Sequence, residues 1–467
     1  MAPVADLQVY ISIHLEISPG IKSVLQSSAT LGRAYGKDTV VRPHIKLPGL
    51  KRHKKRADKQ IVRIQKSLAE SNFRKFRHES ERFLRSHAAR VVAADYVHRK
   101  SNESDRFAHV DEFQEAIERV DLFETIDEPV GLRLKRKGTE GDFRLIKVFG
   151  FRRKVAQRVI DNLLRAIGKT HEEQFSMRGG VNSAVSHAKE LIEEKENAWI
   201  AHVDVQSAYS YVNKDVVEEL IPLPRRVLNE YLFINDTCPL YSQSSYLAPP
   251  IGSDEAVDVE SYFNFALSVL SFPGDVRSGL SQGAICSPVV FEMLIASSLN
   301  ELNLTKFSAF ADNILLVAAS QKELFGKIKA LRAKLKADPC GPFYIESLFV
   351  GEARQGFDFL GFHLEQKKGE INIRPSDKNL ERLRIKFDRF LREYRTESPM
   401  ERLLSVSRIE KKIRQWTATF SQSTDISIFV QPLKDKIGGL KKDLQAENSV
   451  ALANNSLVDE LETEAAQ

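Results

Sequence analysis

The sequence predicts an α+β protein whose C-terminal part is mainly helical. Residues 199–205 form a short apolar strand that carries Asp204 near its end. Residues 307–318 are apolar on both sides of a polar pair, a pattern typical of a tight buried hairpin. Apolar residues then recur at helical spacing, which predicts helices at 322–336, 377–395 and 400–420. A strand, a hairpin and helices in this order indicate an α+β core.

The rest of the chain adds further elements to this core. Helical spacing of apolar residues predicts four more helices, at 60–100, 155–167, 181–192 and 283–299. The last of these begins at Ser287–Pro288, because proline is favoured in the first turn of a helix. Residues 143–153 alternate like a β-hairpin with Gly150 near its tip. Residues 214–276 are irregular and rich in Pro, Ser and Asp.

Composition and charge favour some classes of function for this protein and argue against others. The 467 residues carry a net charge of +6, and residues 51–100 alone hold 16 Lys/Arg against 5 Asp/Glu. A basic stretch of this kind neutralises phosphates, although a solvated helical face is the plainer interpretation. Three scattered cysteines make neither a disulfide framework nor a zinc cluster, which favours a reducing cytoplasm. No apolar run approaches the length of a membrane helix, so no membrane association is expected.

Two aspartates stand where a metal site can form. Asp204 lies near the end of one apolar strand, and Asp312 lies at the tip of the predicted hairpin. Phosphoryl and nucleotidyl transfer use divalent cations, and these hard cations prefer carboxylate ligands. Two adjacent strand ends can bring one acid each to the same edge. A single aspartate after a strand is more often a cap or a turn residue, so this pair alone is weak evidence.

Four segments together resemble the reverse transcriptase family. They occur in the order of the family's motifs, and they are AHVDVQSAYSYV (201–212), RSGLSQGAICSPVVFEMLI (277–295), FSAFADNILLVA (307–318) and GFDFLGFHL (356–364). The last segment is similar to the one that precedes the thumb in bacterial intron and retron-like enzymes. The likeness covers 200–364, with a weaker match from 144 to 192. It implies a right-hand polymerase with fingers, an antiparallel palm sheet with helices, and a helical thumb.

The resemblance assigns metal and nucleotide roles. It implies that Asp204 and Asp312 hold Mg²⁺ or Mn²⁺, with the Val205 carbonyl as a further ligand and Asn313 beside them in the catalytic centre. Tyr209 occupies the position of the family's sugar gate, where an aromatic ring disfavours a 2′-OH. The remaining nucleotide-binding positions are Gln282, Gly283, Arg144, Arg152 and Arg153. The three arginines fall where the fingers grip the triphosphate, and a surface role for any one of them stays open.

Further positions are implied to contact nucleic acid. Arg178, Gly179 and Gly180 match a template-contacting turn. The hairpin that presses on the primer end contributes Phe357, Phe359 and Gly361, which also suit a plain core hairpin. The segment 408–420 resembles the thumb helix of intron-type enzymes, and its basic residues predicted to track the duplex are Lys411, Lys412 and Arg414.

Two departures from the family pattern stand out. Asn313 replaces the second acid of the third motif, and its amide oxygen is expected to coordinate a cation less strongly than a carboxylate does. The family also has a lysine before the fourth motif that can protonate pyrophosphate. The matching place here is near Ser347, next to Glu346.

The domain organisation follows from these positions. We expect a basic N-terminal extension at 1–125, fingers at 126–199, and a palm at 200–364 with a finger insertion at 214–276. A helical thumb at 365–440 and an acidic flexible tail at 441–467 complete the chain.

The expected function is RNA-directed DNA synthesis from dNTPs by a cytoplasmic enzyme. Its partners are an RNA template or an associated non-coding RNA and the DNA product, while a homo-oligomer or a second protein subunit stays open. The divergent third motif looks most like bacterial phage-defence reverse transcriptases. Three alternatives remain: template-independent DNA synthesis, a non-catalytic RNA-binding scaffold, and RNA synthesis, which Tyr209 disfavours.

Overall fold

A computed structural model describes residues 44–102, 105–136, 143–234, 238, 240–242, 279–302 and 304–465. The predicted α+β class is confirmed, since antiparallel sheets and helices both occur. The chain divides into two compact units. The first comprises Met1–Thr170, Ser207–Ser297 and Leu335–Phe343, and the second comprises His171–Gln206, Ser298–Lys334 and Tyr344–Gln467.

Four helices open the described part of the first unit. They are α1 (Leu50–Ala69), α2 (Phe73–Leu84), α3 (His87–Lys100) and α4 (Val110–Glu118). The single helix predicted over 60–100 is therefore three helices. The breaks follow local capping, because the side chain of Asn72 accepts the Lys75 N–H and that of Ser86 accepts the Ala89 N–H. Residues 1–43 of the predicted extension lie outside the described residues.

A small sheet and a long helix follow in this unit. Strands β1 (Val130–Arg136) and β2 (Phe143–Val148) are antiparallel, and a third strand, Leu240–Ser242, pairs with β1 in parallel. The prediction of a hairpin at 143–153 is wrong beyond residue 148. Helix α5 (Phe151–Ile167) begins there, because the Glu128 carboxylate accepts the backbone N–H groups of Arg152 and Arg153 and satisfies its first turn.

The remaining elements of the first unit are helical. They are α6 (Lys214–Leu220), α7 (Arg225–Leu228) with a π-helical turn at Asn229–Phe233, and most of α8 (Ser287–Glu301), as the Ser287–Pro288 signal predicted. Residues 214–233, predicted to be irregular, are largely helical. Most of the predicted insertion, residues 243–278, lies outside the described part.

The second unit is built on a four-stranded antiparallel sheet. In spatial order its strands are β5 (Phe307–Phe310), β6 (Asn313–Ala318), β3 (Trp199–Gln206) and β7 (Tyr344–Glu352). The strand Leu240–Ser242 of the first unit is β4. Helices α9 (Gly180–Glu193) and α10 (Gln321–Lys336) accompany it. The predicted strand, hairpin and helix of this region are all present. Strand β3 is central, which explains its continuous apolar character.

A second sheet holds the fourth motif. Strands β8 (Phe357–Phe359), β9 (Phe362–Lys367) and β10 (Glu370–Pro375) form an antiparallel meander. Phe357, Phe359 and Phe362 are buried in one apolar cluster with α9. This cluster fixes the hairpin β8–β9 against the body of the unit.

Three helices form the C-terminal part. They are α11 (Asp377–Tyr394), α12 (Pro399–Thr419) and α13 (Ile426–Ala465), packed through Phe387, Ile409, Ile413, Val430 and Ile437. Helix α13 continues past residue 441 to Ala465, and the flexibility expected for this acidic segment stays a prediction. No helix among the described residues is both long and apolar enough to cross a membrane.

Candidate active site

Strand β3 places Asp204 in a row of three polar side chains across the sheet. Its backbone pairs with Asn313 on β6 and with Glu346 on β7. Directly paired residues point to the same face of an antiparallel sheet, so the three side chains share one face. Glu346 also accepts a hydrogen bond from Gln206 Nε2 at 3.2 Å. The position in register with Asp204 is therefore Glu346, whereas Ser347 pairs with Val203.

The turn of the β5–β6 hairpin brings Asp312 beside this row. The Val205 N–H donates to the Asp312 carbonyl at 2.9 Å, so the turn is bonded directly to β3. Ala311 takes a positive φ of 53°, which a two-residue hairpin turn requires. Its N–H donates to the hydroxyl of the buried Ser176 at 3.0 Å. Sequence reasoning missed Ser176, whose only signal was its place two residues before the Arg178 turn.

Asn313 connects Asp312 to a buried histidine. Its amide nitrogen donates to Asp312 Oδ1 at 3.2 Å, and its amide oxygen lies 3.0 Å from His202 Nε2. Burial lowers the pKa of His202, while the hydrogen bond with Asn313 opposes that shift. The Asn313 oxygen faces the imidazole in this conformation, and its coordination of a cation stays a prediction. His202 stood in the first motif, but sequence reasoning gave it no role.

The donor set fits a divalent cation that arrives with a nucleotide. Among the described residues, no group of three or more His, Cys, Asp or Glu side chains forms a metal cage. Asp204 and Asp312 nevertheless come to one sheet edge, and both are half-buried. Mg²⁺ is commonly held by one or two carboxylates together with substrate phosphates. Two carboxylates, with the Val205 backbone beside Asp312, satisfy that requirement.

The first unit holds the other nucleotide-binding candidates around the second motif. Tyr209 is half-buried, and its ring lies edge-on to Phe291 with centroids 5.7 Å apart. The Gln282 carbonyl accepts the Lys147 N–H at 2.8 Å, which bonds the motif to β2. Gly283 has a φ of +106°, and a Cβ there would collide with the Lys147 carbonyl, so the turn requires glycine. The Gln282 Oε1 atom is buried without a partner among the described residues.

Comparison with known proteins identifies the middle of the chain. The family model described as "Reverse transcriptase (RNA-dependent DNA polymerase)" matches residues 134–341. Those residues are a reverse transcriptase domain. Asp204, Tyr209, Gln282 and Asp312 all lie inside it. Polymerases of this family generally use divalent metal ions, in agreement with the two carboxylates.

Two further comparisons add little to this assignment. No curated protein matches the sequence. Among solved structures, the Sicinivirus 3Dpol RNA-dependent RNA polymerase is similar over 58% of this chain, at 11% identity and a TM-score of 0.33. The match covers 57% of that polymerase chain. A likeness this low supports no conclusion on fold or function.

The arginines predicted to bind triphosphate occupy different environments within the reverse transcriptase domain. Arg153 is buried, pairs with Glu230 at 2.8 Å, and donates to the carbonyls of Glu128 and Ile126. Its guanidinium is enclosed by protein acceptors, and its triphosphate role stays a prediction. Arg152 is half-buried and stays a candidate. Arg144 lies on β2, and its side chain is outside the described part.

The predicted template turn is present in the reverse transcriptase domain. Arg178 is exposed, and Gly179 and Gly180 both take positive φ, of 78° and 75°, where α9 begins. The Gly180 N–H donates to the Phe175 carbonyl, and the Phe175 N–H donates to the Ala309 carbonyl of β5. The turn is thus tied to the strand that leads to Asp312. Its contact with a template stays a prediction.

The remaining nucleic-acid candidates lie beyond the reverse transcriptase domain. Phe357 and Phe359 are buried, which suits the core hairpin, and their contact with a primer stays a prediction. The turn that contains Gly361 is half-buried and stays a candidate. On α12, Ile409 and Ile413 face the helical core, as expected. The basic residues predicted on its outer face are exposed: Lys411, Lys412 and Arg414.

Proposed function

We propose that the protein is an RNA-directed DNA polymerase with its metal site at Asp204 and Asp312. The observation that carries the proposal is the convergence of these carboxylates at one sheet edge of a reverse transcriptase domain. The 3′ oxygen of a primer, or a protein hydroxyl, bonds to the α-phosphorus of a dNTP. The bond to pyrophosphate breaks, and the hydroxyl proton passes to solvent. Bound Mg²⁺ or Mn²⁺ supplies charge neutralisation and a more acidic attacking hydroxyl.

Groups in each unit suit this chemistry. In the second unit Asp204 and Asp312 would hold the metal ion, and in the first unit the Tyr209 ring packs against the buried Phe291 ring. A rigid aromatic wall at this position favours a sugar without a 2′-OH. Gln282 offers a buried amide oxygen without a partner among the described residues, which suits contact with the incoming nucleotide or the template.

An RNA partner is supported by the first helices. Helix α1 presents a row of exposed basic side chains, which are Lys51, Arg52, Lys54, Lys55, Arg56, Lys59, Arg63 and Lys66. Phe73, at the start of α2, is 70% exposed and is followed by the exposed Arg74 and Lys75. Basic groups around an exposed ring suit phosphates and an unstacked base. A bacterial phage-defence role is proposed from the motif resemblance alone.

The test is incorporation of labelled dNTPs by purified protein with Mg²⁺ or Mn²⁺, followed by sequencing of the product. We expect Asp312→Ala to abolish incorporation, while the exposed Asp388→Ala on α11 leaves it unchanged. A product that copies co-purified or added RNA establishes templated synthesis. A product without a template sequence favours the template-independent alternative.

A non-catalytic RNA-binding scaffold is the second candidate. Two departures from the family pattern favour it. Asn313 stands at the position of an acid, and the acidic Glu346, in register with Asp204, lies near the place where the family has a lysine. RNA binding by the wild-type protein without incorporation under any metal condition would favour this scaffold over the polymerase.

A further inference from the structure

Asn313 lies in a chain of three side chains at the edge of the sheet. His202 Nε2 is 3.0 Å from Asn313 Oδ1, and Asn313 Nδ2 is 3.2 Å from Asp312 Oδ1. His202 and Asp204 are two residues apart on β3, so they share one face of the strand. All of these residues belong to the second compact unit.

The chemistry of the neighbours fixes the direction of the amide. An ionised carboxylate only accepts hydrogen bonds, so the group that faces Asp312 is the amide NH₂. The amide oxygen consequently faces His202 Nε2, and it accepts a hydrogen bond when that nitrogen carries the hydrogen. The opposite orientation would place the amide oxygen against a carboxylate oxygen.

His202 is itself held firmly. It is buried, and its ring lies edge-on to the fully buried Phe359 with centroids 5.3 Å apart. The backbone of β3 around it pairs with β6 on one side and β7 on the other. A side chain fixed in this way can hold the orientation of the amide that it contacts.

We propose that Asn313 is a positioning residue and not a metal ligand: its N–H fixes the Asp312 carboxylate, and His202 fixes Asn313. This inference rests on the proposed function of the site. Asn313 stands where the family has a second acid. This replacement removes one negative charge, and the Asn313 side chain still makes an ordered contact with Asp312. Outer partners of metal ligands typically change metal affinity by about 10–100-fold when removed.

The experiment measures Mn²⁺ binding to the purified full-length protein by the electron paramagnetic resonance signal of free Mn²⁺. Wild type is compared with Asn313→Ala, His202→Leu and the double variant. We expect each single variant to bind Mn²⁺ about tenfold more weakly. The double variant should be no weaker than either single one, because the two residues act through one chain of contacts.

Two further variants separate positioning from folding. His202→Gln keeps an N–H donor within reach of the Asn313 oxygen and should restore most of the affinity, even if His202→Leu folds poorly. His78→Leu changes an exposed histidine of α2, in the other unit, and should bind Mn²⁺ as wild type does. Thermal unfolding of each variant shows whether a loss reflects the site or the fold. In a dNTP assay, kcat should fall with KM unchanged.

Several outcomes overturn the inference. If Asn313→Ala weakens binding while His202→Leu leaves it unchanged or tightens it, the amide oxygen is a ligand. The inference is also overturned if the losses of Mn²⁺ affinity add up in the double variant, or if neither single variant loses affinity. It is overturned as well if Mn²⁺ binding to the wild-type protein does not depend on Asp312. The coupled pattern in a protein that incorporates no dNTP defeats the proposed function and leaves the inference standing.

Discussion

The hairpins β5–β6 and β8–β9 both turn over two residues but present opposite kinds of residue to their surroundings. The first turn residue, Ala311 in one and Leu360 in the other, has a φ near 50°. In β5–β6 the polar residues Asp312 and Asn313 lie at the tip and enter a network with His202. In β8–β9 the motif's aromatic residues are core. A motif match therefore identifies the backbone of a hairpin more securely than the role of its side chains.

Both hairpins contact His202. His202 contacts Asn313 of the first through its ring nitrogen and Phe359 of the second through its ring edge. The aromatic core of β8–β9 thus supports the polar tip of β5–β6. Substitutions in the two hairpins can therefore show which contacts stabilise the fold and which ones act on the metal site.

The largest expected effect is in the aromatic core. Phe359→Ala should lower the free energy of unfolding by about 3–5 kcal/mol, because Phe359 is fully buried and its removal leaves a cavity. Urea unfolding measures this change. Asp358→Ala, the exposed neighbour on the same strand, should change stability by less than about 1 kcal/mol. Equal effects for the two would show that β8–β9 is not a core hairpin.

The next effect concerns the hydroxyl beneath the polar tip. Ser176→Ala should destabilise the protein by about 1–3 kcal/mol, since the buried Ala311 N–H loses its acceptor. Denaturant unfolding is again the measurement. The matched control is Ser101→Ala, whose hydroxyl only adds a bond to a helix carbonyl. No loss for Ser176→Ala would mean that the turn at Ala311 does not depend on this contact.

A negative charge added at the tip of the β5–β6 hairpin should strengthen metal binding. Asn313→Asp should bind Mn²⁺ about tenfold more tightly, because a further carboxylate adds Coulomb attraction at this edge. The metal-free variant should also unfold at a lower temperature than wild type, since two adjacent carboxylates repel. Thermal unfolding over a Mn²⁺ titration measures both. Asn372→Asp, exposed on β10, adds the same charge elsewhere and should change neither.

The smallest effect concerns the strained turn residue. Ala311→Gly should raise the free energy of unfolding by no more than about 1 kcal/mol, because relief at φ 53° is partly offset by the greater entropy of unfolded glycine. Lys368→Gly, at the equivalent place in the β9–β10 turn with φ 52°, is the matched control. Destabilisation of more than 1 kcal/mol at Ala311 alone would show that its methyl group supports the tip.

Sequence patterns predicted the elements better than their partners. The resemblance assigned the rings of Phe357 and Phe359 to the primer, and the structure places both inward around an outward Asp358. The strand at 143–148 was also predicted, yet its partner is β1 and not the segment after Gly150. The Glu128 carboxylate that starts α5 lies more than 20 residues upstream, and no local pattern records that contact.

The candidate site shows the same limit. Asp204 and Asp312 were found because each ends a recognisable strand or turn. Ser176 and His202 were missed, because their roles depend on contacts with residues more than 100 positions away. No local sequence pattern signals the buried ion pair of Arg153 with Glu230, so sequence alone cannot distinguish it from a phosphate-binding position.

The seam between the last two helices has one more consequence. On α13 the side chains in the core are Val430, Leu433, Ile437, Leu440 and Leu444, and on α12 they are Val406, Ile409, Ile413 and Trp416. Both sets repeat at alternating intervals of three and four, the heptad spacing of a coiled coil. Insertion of seven residues in both helices preserves the interlocking, whereas insertion of one residue rotates every later contact out of the seam. The length of the helix pair α12–α13 can therefore change only in steps of seven residues.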